Sequence, residues 1–236
     1  MKIYFNGDSN IAGTELGDPV TQGFAFKLAN KLGATSFINE ARHGASNSLI
    51  LRYTNMYLTE CRRIGSFPDF VVIGWSQCNR EDWYVDGQYC SISSIGLQNP
   101  ELVDPESFEY WTVNCHRNMI FLQQMSKFYN RAIHNLHLEL NDLKIPHLFF
   151  NAINTLNHCE VASAELSACV DNDPILKLRW NDQYYKPYDE VNSTWRSWAL
   201  ENNYKQVTNG LYHFEESCQE AWAQLMHDYI KEKHLV

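Results

Sequence analysis

The chain has 236 residues, is 44% hydrophobic and 20% charged, and carries a formal net charge of −9. That length suits one large α/β domain, with or without an elaborate insertion, and a substantial core. An acidic chain without a Lys/Arg block is a poor match for nucleic acid or an anionic membrane, and no run of about 18 apolar residues predicts a transmembrane helix.

The first apolar run, residues 2–6, predicts a short buried strand that ends at Gly7-Asp8-Ser9. Asp18-Pro19 is a helix start, with Asp as N-cap and Pro at the first helical position. Phe24, Ala25, Leu28, Ala29 and Leu32 continue that helix to Gly33. Residues 35–38 predict a second strand, and Ser46 or Asn47 caps the next helix, with Leu49, Ile50, Tyr53, Met56, Tyr57 and Cys61 as its stripe. Residues 69–75, DFVVIGW, form a continuous apolar run, as expected of a central parallel strand covered on both faces. Residues 79–105 are polar and irregular and predict a loop or small excursion. A long helix with a step of seven across Asn118 then runs to Ile145-Pro146, and strand 147–153 follows it. The pattern fades over about 154–208, where Trp180, Tyr184, Tyr185, Tyr188, Trp195 and Trp198 lie among polar residues. The last helix begins after His213.

Strands alternating with amphipathic helices imply a parallel sheet with helices on both sides, here as one domain with an aromatic-rich insertion before the last helix. The insertion could stack on sugars, cover a site, form a subunit interface or extend the core. The odd count of seven cysteines, the lack of C-x-x-C and the absence of a signal-peptide h-region predict reduced thiols in a cytosol. His158-Cys159 lacks the spaced partners of a zinc site, and no G-x-G-x-x-G or P-loop is present, so neither metal nor cofactor is expected.

In such a sheet, functional groups gather at the carboxyl ends of strands. Ser9 follows strand one; Gly44, Ser46 and Asn47 follow strand two; Ser76, Gln77 and Asn79 follow strand three; His213 precedes the last helix. A serine hydroxyl needs a base to take its proton, and the oxyanion it creates needs N–H donors. Ser9 supplies the nucleophile and one backbone N–H, Gly44 a second, Gln77 or Asn79 a side-chain amide, and His213 the base. Blander readings stand beside these: Ser9 as a turn residue, Asp8 as a brace of its loop, Gly44 as a φ > 0 turn, Gln77 and Asn79 as loop residues, His213 as a structural histidine, and His116, His134 and His137 as solvated or structural.

The chain resembles the SGNH (GDSL-type) hydrolases. Gly7-Asp8-Ser9 matches the first block, "GASN" at 44–47 resembles the second, "VVIGWSQCN" at 71–79 stands in the place of the third, and "NGLYHFEESCQEAWAQLM" at 209–226 resembles the last. The resemblance implies a three-layer flavodoxin-like sandwich and a serine esterase of short acyl groups, carbohydrate acetyl esters among them. Two departures stand out. Ser76 replaces the oxyanion-hole asparagine, and Gly210 replaces the aspartate three residues before the histidine. Glu215 and Glu216 are the nearby carboxylates that could hold His213 instead. The departures keep a second reading open, that of a catalytically degenerate binding or assembly module; "IGWSQCNREDW" is similar to SGNH-like reading frames of tailed phages, which would imply a host-cytosol or virion location. Oligomeric state is left open.

Overall fold

A computed structural model describes residues 1–93, 96–97, 100–116, 119–156, 180–188, 193–208 and 213–236. In chain order the strands are β1 (Lys2–Gly7), β2 (Ser36–Asn39), β3 (Phe70–Trp75), β4 (Glu81–Val85), β5 (Gln88–Ser93), β6 (Gly96–Leu97) and β7 (His147–Asn151). The helices are α1 (Ser9–Ala12), α2 (Pro19–Gln22), α3 (Phe24–Lys31), α4 (Asn47–Ile64), α5 (Pro105–Trp111), α6 (Met119–Asp142), α7 (Trp195–Glu201) and α8 (Glu216–Glu232).

Strands β2-β1-β3-β7, in that order, form an all-parallel sheet. Period-two alternation divides its side chains between two cores. Tyr4, Val71, Ile73, Trp75 and Phe149 face α4 and α6, whereas Ile3, Phe5, Phe70, Val72, Leu148 and Phe150 face α3, α7 and α8. Every residue of β3 is buried, as its unbroken apolar run requires once helices cover both faces. The three-layer α/β sandwich expected from the sequence is the architecture of the molecule. None of its helices within the described residues is long and apolar enough to cross a membrane.

Two helices differ from expectation, and of the two readings of residues 79–105 the described part is the small excursion: β4, β5 and β6 make an antiparallel sheet of their own. Its hairpin turns on Asp86-Gly87, both at positive φ (48° and 82°), the pairing that matches the twist of two antiparallel strands. The helix begun at Asp18-Pro19 is broken at Gly23 (ψ 156°), where a Cβ would lie 2.5 Å from the Pro19 carbonyl oxygen. In place of one long helix, α5 runs into a π-helical stretch at Thr112–His116 and α6 begins at Met119; Asn118, across which the step of seven runs, lies outside the described residues.

Four aromatics of the insertion join the core. Trp180, Tyr184, Tyr185 and Trp195 are buried. Tyr184 bridges Phe149 and Thr194 bridges Asn151, both in parallel sense, so two short segments cover the outer edge of β7. Residues 157–179 of the insertion lie outside the described residues.

Candidate active site

The turn after β1 is built on a close approach. Gly7 and Gly74 are paired across β1 and β3, and Ile11 of α1 lies over them. A Cβ on Gly7 would stand 2.4 Å from Ile11 Cγ1, and one on Gly74 2.6 Å from Ile11 Cδ1. The two glycines therefore let α1 sit directly on the strand ends. Asp8 caps that helix, its Oδ1 accepting from the Asn10 N–H at 2.9 Å, and Gly13 closes it at φ 71°. Ser9 occupies the first helical position, where the N–H has no carbonyl a turn back to bind. Asp8 thus braces the loop, as one sequence reading had it.

The turn after β2 runs beside it, with the Arg42 N–H donating to the Gly7 carbonyl at 3.1 Å. Gly44 takes φ 70°, a backbone form that L side chains rarely adopt. Ser46 caps α4 by accepting from the Leu49 N–H. Asn47 is buried and grips the loop after β3, donating from Nδ2 to the Ser76 carbonyl at 2.9 Å and accepting the Ser76 N–H at 2.8 Å. Asn47 is occupied with that loop. Gln77 and Asn79 are buried on the same loop, and Gln77 Oε1 accepts from Asn154 at 3.2 Å. Arg80, also buried, places Nη1 3.3 Å from Ser76 Oγ and 3.8 Å from Asp8 Oδ2.

His213 arrives from the other end of the chain. The Val207 N–H donates to its carbonyl, Gln206 and Phe214 form an antiparallel bridge, and Gln219 binds the Phe214 carbonyl with one end and the Phe24 N–H with the other. Its Nδ1 lies 3.2 Å from Glu15 Oε2, and its ring centroid is 5.9 Å from that of His43. Of the carboxylates near His213 in sequence, Glu216 pairs with Lys27 at 2.7 Å, whereas Glu215 stands at the N-cap position of α8 with its N–H on the Lys205 carbonyl and its side chain making no cap hydrogen bond. Gly210 lies outside the described residues.

Asp8, Glu15, His43, Arg80 and His213 act on one another electrostatically. Burial pushes the Asp8 carboxyl above the usual carboxylate range, against the pull of Arg80 and His213. Burial holds His43 below the ordinary imidazole value, and the charges of His213 and Arg80 push it the same way. The loops after β1, β2 and β3 and the segment before α8 thus meet at one end of the sheet, beside Ser9. Sequence reasoning missed Glu15, His43 and Arg80. Arg80 stands within the quoted IGWSQCNREDW and His43 directly precedes the quoted GASN; Glu15 carries no local signal. A groove of about 790 Å³ between α4 and α6, lined by Leu51, Met56, Phe128 and Leu136 among others, includes none of these residues.

The family described as "Family of unknown function (DUF6071)" matches residues 19–235, and the chain belongs to it. The matched segment begins after the Gly-Asp-Ser turn. Among solved structures, the lipase Lip_vut3 from a goat rumen metagenome is similar at 16% identity and a TM-score of 0.54, over 97% of each chain. The psychrotrophic esterase EstA from Pseudoalteromonas sp., in a structure inhibited by monoethylphosphonate, is similar at 13% identity and a TM-score of 0.50, over 98% of this chain and 97% of that one. No curated protein matches the chain. The fold is that of the SGNH lipases and esterases.

Proposed function

We propose that this DUF6071 protein is a serine ester hydrolase in which Ser9 is the nucleophile and His213 the general base. The observation that carries the reading is the meeting of four loops at the carboxyl end of the sheet. There Ser9 opens a helix seated on two glycines, and His213 acts electrostatically on the residue just before it.

As Ser9 Oγ attacks the ester carbonyl carbon, its proton passes to His213. The oxyanion takes hydrogen bonds from the Ser9 and Gly44 N–H groups and a side-chain amide of Gln77 or Asn79, each donor of this kind contributing about 10²–10³ in rate. Collapse of the tetrahedral species breaks the bond to the alcohol, which leaves with the proton from His213. Water then repeats the sequence on the acyl-enzyme and frees the acid. Buried Arg80 adds positive charge behind the turn, which favours the developing oxyanion. A short acyl ester, an acetyl group on a saccharide included, suits the site better than a long-chain lipid, because no long apolar lid helix is evident in the sequence.

A fluorophosphonate probe should label the protein at Ser9 across pH 6–9, and Ser9→Ala should abolish labelling and hydrolysis of p-nitrophenyl acetate. Absence of labelling in folded protein would return the chain to the reading as a binding module.

A further inference from the structure

We propose that Glu15 is the positioning residue for His213: the carboxylate that holds the base comes from the loop after the nucleophile helix. The inference rests on the hydrolase reading, because a base that takes no proton needs no orientation. It departs from the sequence expectation, which placed this role on Glu215 or Glu216.

Four observations carry it. Glu15 Oε2 lies 3.2 Å from His213 Nδ1, and the two side chains are only 27% and 10% exposed, so solvent screens the pair weakly. Among the described residues His213 Nδ1 is buried without an aligned hydrogen-bond acceptor, and the carboxylate in contact stands off the N–H direction. A turn of the imidazole or of the Glu15 side chain closes the bond. Three of the competing acids are engaged, Glu216 with Lys27, Glu220 with Lys31, and Asp8 with the Asn10 N–H and Arg80. Finally, Glu15 adopts φ 68°, a conformation costly for a side chain of this size. The Thr14 N–H on the Ser9 carbonyl (3.0 Å) and the Leu16 N–H on the Gly13 carbonyl (3.2 Å) hold it there.

The chemical consequence follows from the two ring nitrogens. With Nδ1–H donating to Glu15, the neutral imidazole keeps its lone pair on Nε2, the atom that must face Ser9 Oγ. When His213 takes the serine proton, the Glu15 charge stabilises the imidazolium, and no proton moves to the carboxylate.

The test pairs a spectrum with kinetics. In ¹⁵N-imidazole NMR of the full chain without substrate, neutral His213 should appear as the Nδ1–H tautomer. Glu15→Gln should give a mixture of tautomers and lower kcat for p-nitrophenyl acetate by about 10²–10⁴-fold, with KM little changed. If Glu15→Gln leaves both tautomer and kcat as in wild type, the contact is a surface ion pair and the inference fails. Should Glu15→Gln not fold, Glu15→Asp is read by the same spectrum: persistence of the Nδ1–H signal upholds the contact and its loss overturns it. The spectrum needs no turnover. A wild type that no phosphonate labels would therefore sink the hydrolase reading, while a Glu15-dependent Nδ1–H would still uphold the pairing.

Discussion

Both ends of the Asn47 carboxamide bind a single residue's main chain, that of Ser76, 29 positions further along. Removing the side chain leaves a buried N–H and a buried carbonyl without partners, at a cost of about 1–3 kcal/mol each. Asn47→Ala should therefore lower the urea midpoint by an amount equivalent to at least about 1 kcal/mol. On the hydrolase reading it should also reduce turnover by loosening the loop that carries Gln77, Asn79 and Arg80. Asn47→Asp keeps the acceptor but not the donor and should fall between; equal stability of Asn47→Ala and wild type would remove Asn47 from this role. The glycine turn and helix start around Asn47 are legible in the sequence, because caps and turns depend on neighbours a few residues away. Its grip on Ser76, and the contact of Glu15 with His213, are not, since pairs so far apart leave no periodic trace.

At the level of elements, the strand ends and α1 form one packed unit. Gly74→Ala would place a methyl 2.6 Å from Ile11 Cδ1 and 3.0 Å from Phe150 Cε2. Ile11 must give way, and with it the helix that begins at Ser9. Overpacking of this kind costs about 1–3 kcal/mol, so Gly74→Ala should lower the melting temperature and, on the hydrolase reading, slow phosphonate labelling. Ile11→Ala in the same chain should recover part of both losses. Additive losses in the double variant would show that the two residues do not share the space. Strands β1, β3 and β7 were legible as apolar runs bounded by turn residues, and β2 from the pair Phe37-Ile38 between two helices. The small antiparallel sheet was not, because its strands mix Glu81, Asp82, Gln88 and Ser91 with aromatics; only the Asp86-Gly87 turn announced it. Gly23 looked like the interior of one helix, since apolar spacing continues through it, and the clash with the Pro19 carbonyl is a property of three dimensions.

Across the whole molecule, two buried histidines tie α6 to β7 and make stability depend on pH. His147 Nδ1–H donates to the Ile145 carbonyl (3.1 Å), His137 Nδ1–H donates to His147 Nε2 (2.8 Å), and Asn141 donates to His137 Nε2 (3.1 Å), a chain that requires both rings neutral. Burial lowers both from the ordinary 6.5 to about 4. The unfolded chain binds more protons than the folded one between these values, so this contribution is complete above pH 6.5 and is lost as pH falls toward 4. The urea midpoint should drop between pH 7 and 5, where most carboxylates are still ionised, and His137→Leu with His147→Phe should flatten that drop. An unchanged pH dependence in the double variant would assign the effect to other groups. A different consequence follows from the docking of α8 on α3. Gln219 accepts the Phe24 N–H across 195 positions, and Lys27 and Lys31 meet Glu216 and Glu220. His213 leads into this segment, 204 positions after Ser9. On the hydrolase reading, a nascent chain that has made Ser9 has not yet made its base, so it acquires esterase activity only once the segment around α8 has been synthesised and has docked on α3.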